Sequence, residues 1–147
     1  TMNTITTAVL TVLLCLSLAG CAAVQYGANN PATARLVTDQ ITIRFIQGAD
    51  DYAERAAAVR HVVQTLRTEV DSNAEATLGS IEQRVRDEID WDDYSLADQQ
   101  VLQFGLLKAR QSLSSLIGDG LLSPDERATV GTLLDWIDTA AKRVEAQ

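Results

Sequence analysis

Tyr52-Ala53-Glu54-Arg55-Ala56-Ala57-Ala58-Val59-Arg60-His61-Val62-Val63-Gln64-Thr65-Leu66-Arg67-Thr68-Glu69-Val70 is the stretch that decides the fold class. Its apolar positions Tyr52, Ala56, Val59, Val63, Leu66 and Val70 fall at spacings of 4-3-4-3-4, a heptad-like seam that only a helix keeps on one face. Asp51 with Glu54 three residues on supplies a capping pair at its start. Asp71-Ser72-Asn73 reads as the break, with Ser72 and Glu75 as the next capping box before Leu78, Ile81, Val85 and Ile89. The alternative is a single helix from 51 to 90 with a local register shift.

The flanking segments repeat this punctuation. Asn30-Pro31 places a capping side chain before a proline at the first helical position. From there to Gln47 two periods compete. Val37, Ile41 and Phe45 recur every four residues, while Ile41, Ile43 and Phe45 alternate as in a strand. No partner strand is legible elsewhere, so the segment reads as helix, ended by Gly48. Ser95 and Asp98 open another helix with Leu102, Leu106, Ala109, Leu113 and Leu116 on one stripe. In Gly118-Asp119-Gly120-Leu121-Leu122-Ser123-Pro124-Asp125-Glu126, a glycine closes that helix; Ser123 caps the next, Pro124 takes its first position and Glu126 completes the box. Val130, Leu133, Leu134, Ile137, Ala141 and Val144 line the last helix. Turns this short imply antiparallel neighbours. The expectation is an all-α antiparallel bundle of four to five helices over residues 31–147.

Ahead of the bundle the chain changes character. Residues 1–20 contain no Asp, Glu, Lys or Arg, so the net charge of −8 lies wholly beyond them. Ala8 to Leu18 is an apolar run with the length of the h-region of a secretory signal peptide, and marginal for a spanning helix. Leu18-Ala19-Gly20-Cys21 at its end resembles the lipobox of bacterial lipoproteins. Thr1-Met2-Asn3-Thr4 departs from that pattern in having no Lys or Arg. The resemblance implies a signal peptide at 1–20, cleavage between Gly20 and Cys21, and palmitate-type acylation of Cys21. It also implies a lipidated tether over 21–30, which spans at most about 30 Å from Ala22 when extended. With Cys15 discarded, Cys21 is left alone and no internal disulfide forms. Ala at position 22, where the family's retention signal has Asp, implies the outer membrane, facing the periplasm.

Several function classes are disfavoured. With 12 basic against 20 acidic residues, nothing draws the chain to nucleic acid. Asp119-Gly120-x-Leu122-Ser123-x-x-Glu126 resembles the second half of an EF-hand loop, but the earlier ligand positions fall on Ser115 and Ile117, and a calcium site needs about six oxygens. The same residues are accounted for as a helix stop and start. Asp87-Glu88-Ile89-Asp90-Trp91-Asp92-Asp93 reads as a solvated corner between helices, with Trp91 and Tyr94 as core or boundary aromatics and Trp136 at a boundary or surface contact. His61 lacks the second His or Cys that zinc requires. No nucleophile elbow or glycine-rich phosphate loop is present. No catalytic residue and no cofactor are assigned.

The resulting expectation is a non-catalytic, lipid-anchored binding or structural module of the cell envelope. Its partners would be the membrane, through the lipid, and another envelope protein or a second copy. Small helical lipoproteins of this kind resemble phage- and prophage-encoded accessory proteins, which serve envelope modification, superinfection exclusion or lysis. The alternative expectation is a single-span membrane protein with a calcium- or partner-binding helical domain.

Overall fold

A computed structural model describes the backbone of residues 4–26 and 31–147, and the side chains of 4–15 and 31–147. The described residues form six helices: α1 (Thr4–Tyr26), α2 (Pro31–Gln47), α3 (Tyr52–Ser72), α4 (Leu78–Asp87), α5 (Leu96–Ser114) and α6 (Pro124–Glu145). A 3-10 turn at Trp91–Asp93 joins α4 to α5. Among the described residues the one strand-like feature is an isolated bridge between Thr77 and Leu121. The all-α class is therefore as expected, and the ambiguous segment 31–47 is a helix.

The α3 seam is buried at Ala56, Val59, Val63, Leu66 and Val70, and Tyr52 is exposed. Ala58 and Val62 are buried as well, so α3 has neighbours across more than a heptad face. Along its length Arg60 meets Asp138 and Glu145, Arg67 meets Asp135, and Arg127 meets the carbonyl of Val70. Partner numbers fall as α3 numbers rise, so α3 and α6 run antiparallel. On α6 every expected seam residue from Val130 to Val144 is buried.

Other neighbours run parallel, which corrects the expectation of a wholly antiparallel bundle. Asp39 faces Arg143 and Gln47 faces Gln147, so α2 and α6 share a direction. Thr6 meets Tyr94 and Leu10 lies over Gly105, which sets α1 parallel to α5. For α6 the placement follows from the connection after α5. Instead of folding straight back, the chain pairs Leu122 N–H with the Ala76 carbonyl at 2.9 Å and hands α6 across to α3.

Three local boundaries also differ. Asp51 sits at the N-cap of α3 with no side-chain cap bond. The capping box before α4 is Thr77 and Ser80, with Ser80 N donating to Thr77 Oγ1 at 3.0 Å, and not Ser72 and Glu75. Asn73 Oδ1 instead takes the Glu75 N–H, forming an Asx turn that delays the helix. Helix α5 stops at Ser114, ahead of both Gly118 and Gly120.

The segment whose ending resembles a lipobox also takes part in the core. Ala8, Val9, Val12, Leu13 and Cys15 are buried in the same core as α3, α5 and α6. Polar contacts match along the helix too: Thr42 Oγ1 donates to Cys15 Sγ at 3.2 Å, and Tyr94 Oη donates to Thr6 Oγ1. The first helix thus packs inside the bundle instead of standing apart from it.

Candidate functional site

Gly20 and Cys21, the expected cleavage and lipidation residues, lie outside the residues whose side chains are described. Glu126 does what a helix start requires. Its carboxylate accepts the Gly118 N–H at 2.7 Å and the Ser123 N–H at 3.2 Å, which holds its pKa below the ordinary carboxylate range. Both oxygens are engaged by the backbone, and Asp119 is not brought to them. Among the described residues no three His, Cys, Asp or Glu side chains group as metal ligands. His61 Nε2 lies 3.2 Å from Glu88 Oε2 on the surface. At the acidic corner, Trp91 Nε1 donates to the Arg86 carbonyl at 3.1 Å with the Arg86 guanidinium 5.8 Å from its ring. Tyr94 is buried and Trp136 packs against the core, as boundary aromatics do.

The structure brings together a different set of residues. Between α1, α2 and α5 opens a groove of about 510 Å³, within the range of small-ligand sites. Leu10 and Leu14 of α1, Phe45 of α2, and Val101 and Phe104 of α5 make its walls. Gly105 lines its floor, where a Cβ would stand 3.8 Å from Leu10 Cδ2, in ordinary van der Waals contact. The Thr11 hydroxyl is turned back to the Thr7 carbonyl at 2.9 Å, so it adds little polarity.

Two cations stand at the rim. Arg55 Nη1 donates to the Phe45 carbonyl at 3.2 Å, and the Lys108 ammonium sits 5.4 Å above the Phe104 ring. Most of the other basic side chains meet carboxylates, as do Arg60, Arg67, Arg84 and Arg143. Among the described residues neither Arg55 nor Lys108 has a carboxylate partner within 4 Å. In a chain with a net charge of −8, that leaves local positive charge beside hydrocarbon.

The apolar surface continues outward along α5, where Leu96 is 77% and Phe104 60% exposed. Sequence reading followed the Leu102–Leu106–Ala109–Leu113 stripe and missed this second one. The signal was present: Val101, Phe104 and Leu107 repeat at three-residue spacing between and beside the residues of the buried stripe, so α5 is apolar on two faces. No protein-family model, curated protein or solved structure matches the chain.

Proposed function

We propose that the protein is a lipid-anchored, non-catalytic binding module of the bacterial cell envelope, anchored through Cys21 after cleavage behind Gly20. The observation that carries the binding reading is the apolar surface encoded after Cys21, Phe45 of α2 with Val101 and Phe104 of α5, continuous with exposed Leu107. Walls of hydrocarbon suit an apolar ligand or partner. Apolar surface of this kind is seldom left exposed on a soluble monomer without a role. The address rests on the resemblance of Leu18-Ala19-Gly20-Cys21 to a lipobox. Among the described residues no helix is long and apolar enough to cross a membrane. Several acyl chains, each contributing about 0.8 kcal/mol per buried methylene, hold far more firmly than one.

Intact-mass measurement of detergent-extracted protein tests the address. The expected mass is that of residues 21–147 plus acyl groups; retention of residues 1–20 without acyl mass overturns it. Cys21→Ser is expected to leave the membrane fraction, and fractionation like wild type counts equally against the anchor.

A further inference from the structure

The outward side of α5 carries a second seam. Ala97, Val101, Phe104, Lys108 and Gln111 fall at spacings of 4-3-4-3, the pattern of a helix that packs against another helix, and all five are exposed. Exposed Leu107 stands beside them. Charges of opposite sign mark the two ends. Asp98 Oδ2, in the first turn, accepts from the Ser95 hydroxyl at 2.8 Å, and the Lys108 ammonium lies over the Phe104 ring. Among the described residues neither has an opposite charge within 4 Å, whereas Arg110, the other charged residue of α5, is held by Glu82. Ten residues of helix, about 15 Å of rise, separate the acid from the base.

We propose that this seam is the interface of a homodimer, in which α5 of a second copy lies antiparallel across it on a two-fold axis at Phe104. This rests on the reading of the same surface as a binding face, and takes nothing from residues 1–20 or from the anchor. The charges choose the occupant. Two copies of α5 running in opposite directions set each Asp98 about 3 Å along the axis from the level of the other copy's Lys108, within a lysine's reach. Val101 then stands opposite the second copy's Leu107, and the two Phe104 rings meet at the centre, so that every other contact occurs twice. A parallel copy would set acid beside acid and base beside base. An anionic bilayer would meet Asp98 together with Lys108, and a helix of one charge sign would satisfy one end only. The net charge of −8 opposes the pairing weakly, because charges away from the seam are screened beyond roughly 8 Å. The face is bare in the single chain, so pairing follows protein concentration.

Sedimentation equilibrium of the full chain in a density-matched non-ionic detergent reads the mass of the protein alone. The expected result is a monomer that passes to a dimer as concentration rises. Asp98→Lys or Lys108→Asp replaces two attractive pairs with two like-charge pairs, and each should weaken dimerisation about tenfold. The two substitutions together put opposite charges back in register and should restore it. Phe104→Glu should abolish the dimer, with circular dichroism reporting an intact helical fold in every variant. A monomer at all concentrations overturns the proposal, and so does a double variant that pairs no better than the single ones. Irradiation of intact cells in which Leu107 is replaced by the photo-crosslinking p-benzoylphenylalanine separates the dimer from the binding reading beneath it. Two copies joined close to Val101 support the dimer. Capture of a different protein or of lipid overturns the dimer and keeps the surface as a binding face, and no product at all overturns both.

Discussion

Arg127 shows how one side chain sets the topology. Its guanidinium donates to the carbonyls of Val70, Asn73 and Ala74, and its Nε reaches the Leu122 carbonyl at 3.3 Å. Those carbonyls close the C-terminal end of α3, so a residue of the first turns of α6 ties the two helices at one end. A planar five-donor fork can do this and an ammonium cannot. Arg127→Ala should cost about 1–3 kcal/mol by leaving the carbonyls short of donors, and Arg127→Lys should recover little of it; urea unfolding checks both. Glu69 is a second such residue. The Asn73 amide donates to it at 2.7 Å and Arg84 at 3.0 Å, which holds its pKa below the usual carboxylate range despite the opposing effect of burial. The unfolded chain therefore takes up the proton first. Its contribution is complete above the unfolded value of about 4.3 and is lost as pH falls through the lower folded value. Glu69→Gln should flatten the acid limb of the stability–pH curve, and an unchanged limb would show that the proton goes elsewhere.

At the scale of elements, legibility in the sequence followed how local each signal was. The start of α6 was legible because Ser123, Pro124 and Glu126 make a self-contained cap, and the structure closes it with Ser123 N to Glu126 Oε1 at 3.2 Å. Ser123→Ala should cost about 1 kcal/mol and lower the melting temperature by roughly 4 °C, with helicity lost first at residues 124–127. The start of α4 was misread for the converse reason. Ser72 and Glu75 satisfy the same pattern, but Asn73 captures the Glu75 N–H, and the partner of Ala76 is Leu122, distant in sequence. Nothing local announces a contact between 76 and 122. The two faces of α5 divide in the same way. Leu102, Leu106, Ala109 and Leu113 declare a core stripe, whereas Val101 and Phe104 gain meaning only once α1 and Phe45 stand opposite. Leu106→Ala should therefore cost about 2–5 kcal/mol as a core truncation, and Phe104→Ala far less, since that side chain is already 60% exposed. Comparable losses at the two positions would mean that Phe104 is covered in solution.

At the scale of the whole molecule, the N-terminal helix carries two messages at once. On the lipoprotein reading proposed above, its lack of charge and its resemblance to a lipobox at Leu18-Ala19-Gly20-Cys21 mark it for removal, while Ala8, Val9, Val12 and Leu13 fill the centre of the bundle. Sequence periodicity could not reveal the second role, because an unbroken apolar run fits a signal and a buried helix equally well. The two roles separate in time if the unprocessed chain seats the helix and the processed chain lacks it, and Cys15 reports which state is present. In the packed helix its thiol is fully buried, and burial pushes its pKa up to about 11, only partly offset by the hydrogen bond from Thr42. At pH 8 the thiolate fraction falls roughly two hundredfold from that of a free cysteine near 8.5, and burial adds a steric block. A Cys21→Ser chain that retains its leader should therefore resist iodoacetamide under native conditions and react with it in urea, with the modified peptide identified by mass. Thr42→Val removes the hydroxyl that lowers the thiol's pKa and should not speed the reaction; Leu106→Ala, by loosening the wall beside Leu13, should. Rapid labelling of Cys15 in the native chain would place the helix outside the core.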